Sequence, residues 1–250
     1  MSEVRAIMRA VEILEALRSE KEPQSLASLH HNLGLSKTTL ARILNTLENA
    51  GYVERDRSQQ KYTLGMKLLY YGYAVSEKLT VKQVAAPVLK RIRDACLETV
   101  YIYILHNNRR LCVDCLQGKS AVRVMAYVGD ESPLYVGASG KAILAYFSEE
   151  ELDLYFKETD LVPLTPNSIV NRELLEQDLK GIRQRGYAIS VGEKVSGVIS
   201  VSAPLKNERG IVNASISIAA PIDRQSEVDK YIKLVTEGAA EINSYQSIKL

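Results

Sequence analysis

Cys112-Val113-Asp114-Cys115 holds two thiols at a spacing that can share a metal ion or close as a disulfide. A four-ligand zinc site needs a second pair, and Cys96 is the one further cysteine in the sequence. If the segment is a strand, Cys112 and Cys115 point to opposite sides, because side chains alternate with period two. The expected role of these cysteines is therefore packing. Gly137-Ala138-Ser139-Gly140-Lys141-Ala142 looks like a phosphate loop, but it lacks the first glycine at the required spacing, and Ala142 replaces the magnesium-binding hydroxyl. It also misses the nucleophile elbow, because Lys141 stands where the closing glycine belongs. Of the histidines, His30 and His31 lie near the N-terminus and His106 borders a turn, so a serine–histidine pair is not expected. These residues predict no catalytic set, no metal site and no cofactor; the protein reads as a binder, not an enzyme.

A second chemistry lies in residues 36–50. Leu40, Ile43, Leu44 and Leu47 recur at i, i+3, i+4, i+7 and define the inner face of a helix. The opposite face carries Thr38, Arg42 and Asn45, with Lys37 and Thr39 in the first turn and no acidic residue before Glu48. Such side chains donate to phosphate or read base edges. Ser36 is placed to cap this helix, whose first backbone N–H groups suit phosphate. Thr38, Arg42 and Asn45 are expected to read bases, and Ser36, Lys37, Thr39 and Lys61 to hold the DNA backbone.

The elements that must position this face precede and follow it. A first helix runs from about Val4 to Arg18, with Ile7, Val11, Leu14 and Leu17 on one side. Ser25 caps a short second helix with Leu26, Leu29 and Leu33 inward, and Gly34 supplies a tight turn. Strand-like segments Tyr52 to Arg55 and Lys61 to Leu64, joined by polar residues 56–60, form a wing carrying Arg55, Arg57 and Lys61. Helix, short helix, glycine turn, longer helix and wing is the order of a winged helix-turn-helix. A winged helix that docks on protein instead of DNA is the alternative to operator binding.

Bulk composition is compatible with this reading without demanding it. The 250 residues allow two ordinary domains, and a net charge of +2 means that a basic surface must be local. No apolar run approaches the roughly 20 residues that span a bilayer. Met1-Ser2-Glu3-Val4-Arg5 leads straight into an amphipathic pattern with Glu12 and Glu15, unlike a signal peptide, so a cytoplasmic, reduced setting is expected.

Met66 to Lys78 predicts a connecting helix. Val81, Val84, Ala85, Val88, Leu89, Ile92 and Cys96 predict a helix packed on a sheet, with Pro87 kinking or starting it. Strands are expected over Thr99–His106, Leu111–Leu116, Ala121–Tyr127, Tyr187–Val191, Val198–Leu205 and Ile211–Ala219. Helices are expected near Ser139, after the capping box at Ser148, after Asn171, and over Ser226–Ser244, with a turn at Asn207-Glu208-Arg209-Gly210. The pattern predicts an α+β domain with a mainly antiparallel sheet flanked by helices.

In this order and spacing, three stretches resemble the isocitrate-lyase-regulator (IclR) family of bacterial transcription factors. They are Leu47-Glu48-Asn49-Ala50-Gly51-Tyr52-Val53 with Tyr62-Thr63-Leu64-Gly65; Pro133-Leu134 through Gly140-Lys141-Ala142; and Arg185-Gly186-Tyr187-Ala188 with Glu193, Gly197-Val198 and Ala203-Pro204. The resemblance implies a winged helix-turn-helix over residues 1–65, a linker helix over 66–80 and a GAF-like effector domain over 81–250. It implies a homodimer, often paired into a tetramer, on double-stranded operator DNA, acting as repressor, activator or both. It also implies a small-molecule effector, typically an organic or aromatic acid, held by Val124, Ala138, Ser139, Gly140, Ser190 and Ser200. Ser190 stands where many relatives carry an acidic residue, so the effector itself does not transfer.

Overall fold

The computed structural model describes residues 3–20, 22–207 and 209–245, so Met1, Ser2 and Glu208 of the sequence reading lie outside the described residues. The chain divides into two compact units, Met1–Glu77 and Lys78–Leu250.

The first unit contains α1 (Arg5–Ser19), β1 (Gln24–Ser25), α2 (Leu26–Leu33), α3 (Lys37–Asn49), β2 (Val53–Asp56), β3 (Lys61–Leu64) and α4 (Lys67–Ser76). Capping sets the helix starts: Ser25 Oγ accepts from Ser28 N at 3.1 Å and Ser36 Oγ from Thr39 N at 3.2 Å. Gly34, at φ +65°, ends α2 in the left-handed conformation that glycine adopts without a Cβ penalty. Leu29, Leu40 and Leu44 meet Ile13, Leu17, Val53 and Tyr62 in one core. At about 1.5–3 kcal/mol for each fully buried large aliphatic side chain, this core rather than helix propensity holds the short elements together. The strands form a sheet of order β1-β3-β2. The two-residue β1 is too short for alternation to show in sequence. Ile7 and Val11 depart from expectation: they are exposed, while the expected Leu17 is buried together with Ile13.

The second unit contains α5 (Thr80–Cys96), β4 (Thr99–His106), β5 (Arg109–Leu116), β6 (Glu131–Pro133), α6 (Ala138–Leu144), α7 (Glu149–Glu158), α8 (Arg172–Arg185), β7 (Ala188–Val191), β8 (Val198–Lys206), β9 (Val212–Pro221) and α9 (Val228–Asn243). Its sheet has the order β6-β5-β4-β9-β8-β7, with every neighbouring pair antiparallel. One sheet face presents Val100, Ile102, Ile199, Val201, Ile216 and Ile218 to α5 and α9. The other face presents Tyr101, Tyr103, Ser200, Ser202, Ser215, Ser217 and Ala219, mostly small or polar residues. This small-residue face lets α6 pack closely on the sheet, where Ser215 Oγ donates to Ser139 O at 3.0 Å.

Three sequence expectations need correction here. First, α5 runs unbroken through Pro87, neither starting nor ending there. Pro87 lies on the exposed side, so its missing N–H is lost facing solvent, while Val81, Ala85, Val88, Leu89 and Ile92 are buried opposite it. Second, Ala121–Tyr127 is not a strand, and β6 provides the sheet edge instead. That segment is held by side chains, with Thr99 Oγ1 donating to Val124 O at 2.5 Å and Cys115 Sγ to Ala126 O at 3.3 Å.

Third, Cys112 and Cys115 do not face opposite sides. The β4–β5 register pairs Tyr103 with Cys112, Ile102 with Asp114 and Tyr101 with Cys115, leaving Val113 as an extra residue in a β-bulge. The bulge resets the alternation: Val113 packs in the helix-side core, while Cys112 and Cys115 both join the tyrosine side.

At Gly140 an added Cβ would lie 2.3 Å from Leu134 O, a backbone atom that cannot swing away. Gly140→Ala should destabilise the protein by roughly 1–3 kcal/mol, as overpacked cores do. Thermal denaturation checks this, and a melting temperature equal to the parent's would show that the contact relaxes freely.

Candidate ligand cavity and DNA interface

On α3 the cap organises the first turn. Ser36 Oγ, besides accepting from Thr39 N, donates to Thr39 Oγ1 at 2.9 Å. Ser36, Lys37, Thr38, Arg42 and Asn45 are exposed and Thr39 is half-buried. The inner face is buried at Leu40 and Leu44. Lys61 is half-buried on β3, opposite Asp56 of β2. Asp56 closes the wing by accepting from Ser58 N at 2.8 Å, Ser58 Oγ at 2.6 Å and Gln59 N at 3.2 Å. These bonds hold its carboxyl below the usual range. Arg55 is engaged locally, donating to Gln60 and lying over the Tyr62 ring, whereas Arg57 is exposed. The first unit therefore presents a cation-bearing helix face without carboxylates in its first turn.

In the second unit a cavity opens between the tyrosine side of the sheet, the 124–130 loop, the start of α6 and the loop after β7. About 80 Å³ of it is open to the centres of water-sized molecules, several times the ~10–15 Å³ that one water needs, so it can take a small organic molecule. Of the expected effector residues, Val124, Ser139, Ser190 and Ser200 line it. Ala138 and Gly140 do not: Ala138 turns into the core with α7 and α8, and Gly140 lies against Leu134.

The charged lining is Arg110, Asp130, Glu193 and Lys194. Arg110 is 3% exposed, donates from Nη1 to Ser139 Oγ at 2.6 Å and lies 5.0 Å from the Tyr103 ring centre. Its Nε is buried without a hydrogen-bond partner. Burial lowers the pKa of this guanidinium, while Tyr103, Tyr101 and Glu193 act in the opposite direction. Lys194 is pushed down to about 8, first by burial and then by repulsion from Arg110. Burial likewise raises the Tyr101 hydroxyl to about 12.

Behind the wall lies a buried ion network. Lys141 Nζ donates to Glu193 Oε1 at 2.6 Å and to Asp178 Oδ2 at 2.7 Å. Glu193 Oε2 accepts from Gly137 N at 3.2 Å. The helix-start N–H at Gly137 is thus taken by the protein's own Glu193. Arg110 and Lys194 were missed by sequence reasoning. The available signal was Arg110 sharing a strand face with Cys112, a charge at an inward position.

Residues 6–57 match the IclR helix-turn-helix domain family, and residues 73–244 match the bacterial transcriptional regulator IclR C-terminal domain family. The chain belongs to the IclR family of bacterial transcription regulators. It is 30% identical over 247 residues to the HTH-type transcriptional repressor AllR of Escherichia coli K12, covering 98% of this chain and 91% of AllR. It is 32% identical over 199 residues to the HTH-type transcriptional regulator KipR of Bacillus subtilis, covering 80% of this chain and 79% of KipR. The Thermotoga maritima IclR crystal structure matches with TM-score 0.80 at 28% identity, over 98% of this chain and 99% of that one. An IclR homologue from Microbacterium hydrocarbonoxydans, complexed with 4-hydroxybenzoate, shares the fold with TM-score 0.84 at 24% identity, over 96% and 98% of the two chains. This IclR-type chain is accordingly a DNA-binding transcription regulator with a C-terminal effector-binding domain, and not an enzyme. No helix among the described residues is long and apolar enough to cross a membrane.

Lys141 is 1% exposed between two carboxylates. Lys141→Met should cost roughly 3–5 kcal/mol of stability, because Glu193 is left buried and uncompensated. Lys141→Met combined with Glu193→Gln should recover part of that loss in chemical denaturation; an additive double variant would show that the two groups are uncoupled.

Proposed function

We propose that the C-terminal unit binds a small organic acid whose carboxylate lies on Arg110, and that this binding controls how tightly α3 holds operator DNA. The observation that carries it is a buried guanidinium, lining a small cavity, whose Nε has no partner and whose hydrogen-bond acceptor is a serine hydroxyl among the described residues. An isolated buried charge is costly, and a bidentate carboxylate is the partner that guanidinium geometry fits best. Lys194 adds a second positive charge. Ser139, Ser190 and Ser200 offer hydroxyls to orient the acid, and Val124, Tyr101 and Tyr103 offer apolar contact. Aromatic acids fit this mixed lining as well as short aliphatic ones.

In the same reading, residues 1–65 bind DNA, 66–80 connect and 81–250 sense. Thr38, Arg42 and Asn45 read base edges, while Ser36, Lys37, Thr39 and Lys61 contact phosphates. The protein acts as a homo-oligomer in the cytoplasm. Support for self-association comes from α4, which buries no residue in its own unit and exposes Leu69, Tyr70, Tyr71, Tyr73 and Val75.

Arg42→Ala is expected to weaken operator binding about 10–100-fold, the range of one lost base contact, with unchanged melting temperature. Fluorescence anisotropy on operator DNA checks this, and parental affinity would show that α3 does not enter the groove. Arg110→Met should abolish the thermal shift given by small carboxylates, 4-hydroxybenzoate among those screened, while the protein stays folded. Carboxylate affinity of the parent should fall as pH rises through about 8, where Lys194 loses its charge, and Lys194→Met should flatten that profile. Calorimetric titration across pH 6.5–9.5 measures it; a pH-independent affinity in the parent would remove Lys194 from the site. Effector affinity must also differ between free and operator-bound protein, because coupling is reciprocal.

A further inference from the structure

The bulge at Val113 brings together two thiols that neither the DNA face nor the carboxylate site uses. Cys112 and Cys115 pair with Tyr103 and Tyr101, two residues whose rings make an edge-to-face contact at 5.2 Å on one side of the sheet. The two cysteines therefore share one side of the sheet, three residues apart, with the Cys112 thiol donating to Asp114 O at 3.6 Å. Cys115 is half-buried and within reach of small solutes, whereas Cys112 is buried. Cys115 Sγ also touches the 124–130 loop, donating to Ala126 O at 3.3 Å, with Gln117 Nε2 at 3.9 Å from the sulfur. Ala126, Tyr101 and Tyr103 all line the cavity.

The geometry points to Cys112 and Cys115 being a redox-active dithiol, closed reversibly to a disulfide by a hydroperoxide, with its state felt at the wall of the effector cavity. The step begins at the more exposed sulfur. Cys115, as thiolate, attacks the outer oxygen of the hydroperoxide and takes that oxygen as a sulfenic acid; the other oxygen leaves as alkoxide and becomes an alcohol on protonation. The Cys112 thiol then loses its proton and attacks the sulfenic sulfur, expelling hydroxide, which leaves as water. Two thiols and one hydroperoxide give one disulfide, one alcohol and one water. The neighbouring Cys112 thiol draws the Cys115 thiol down to about 7, against burial and the Asp114 and Asp130 charges, which favours its thiolate as the attacking sulfur. Cys96 behaves oppositely: burial raises it to about 11, which makes it a silent internal control. Closing the disulfide removes the Cys115 S–H that bonds Ala126 O and moves the bulge against Tyr101 and Tyr103.

The test uses the full-length protein and hydrogen peroxide. Tryptic peptide 111–119 contains both cysteines. Stoichiometric peroxide should remove two hydrogens from that peptide, dithiothreitol should restore them, and Cys96 should stay open to alkylation once the protein is denatured. In Cys112→Ala the reaction should stop at a sulfenic acid on Cys115 that dimedone traps. The pH midpoint of Cys115 alkylation should also rise from about 7 toward that of an ordinary thiol. A packing role would move neither readout. The proposal is overturned if Cys112 and Cys115 both remain alkylatable after peroxide that consumes free cysteine in the same tube, or if the disulfide formed links Cys96 or a second chain. Effector coupling is read separately: peroxide should change operator affinity several-fold in the parent and leave Cys112→Ala/Cys115→Ala unchanged. Equal responses in the two proteins would remove the link to the cavity.

Discussion

The C-terminal unit is organised around the unequal treatment of two buried cations. Lys141 is met by two carboxylates, Glu193 and Asp178, and is thereby a structural ion joining α6, α8 and the loop after β7. Arg110, in the cavity wall, is offered a serine hydroxyl and a tyrosine ring face. Glu193 has one oxygen on Lys141 and the other on Gly137 N, and it acts on Arg110 through its charge rather than through a direct hydrogen bond among the described residues. Cations and carboxylates are equal in number around the cavity, but Arg110 itself meets a hydroxyl and a ring face, and in a low-dielectric wall a contact with its charge is worth more than in water. A regulator needs a site whose free energy changes on occupancy, and a charge left short of partners is one way to build it.

Close packing makes that arrangement possible. The sheet face under α6 is built from serines and alanine, so the short helix lies close enough for Ser215 Oγ of β9 to reach Ser139 O. Larger residues in β8 and β9 would lift α6 and draw Ser139 away from Arg110. The opposite face carries the branched residues that pack against α5 and α9. One face of the sheet thus supplies stability and the other supplies the cavity.

The bulge in β5 shows how one extra residue redistributes chemistry. With strict alternation a Cys-x-x-Cys divides its sulfurs between the two faces. With Val113 inserted, Val113 and Asp114 oppose a single partner position and both sulfurs return to the cavity side. The same irregularity lies where the expected third strand fails to form, and residues 121–127 are held there by side-chain bonds from Thr99, Cys115 and Gln117 in place of a backbone ladder.

Local signals were legible in sequence because their physics is local. Caps at Ser25, Ser36, Ser148 and Asn171, the left-handed turn at Gly34, the i, i+3, i+4, i+7 stripe of α3 and the period-two strands each depend on neighbours within a few residues. They were enough for the winged helix, its outward polar face and the α+β class. Where an added residue shifts a register, which helix face stays uncovered at Ile7 and Val11, and which donor Glu193 has already occupied depend on residues tens of positions apart. So does the pairing of Arg110 with Ser139, 29 residues away along the chain, which seats a cation on a serine hydroxyl in the cavity wall. Periodicity says which side of an element is apolar; only the folded packing says what stands opposite it and whether its charge is met.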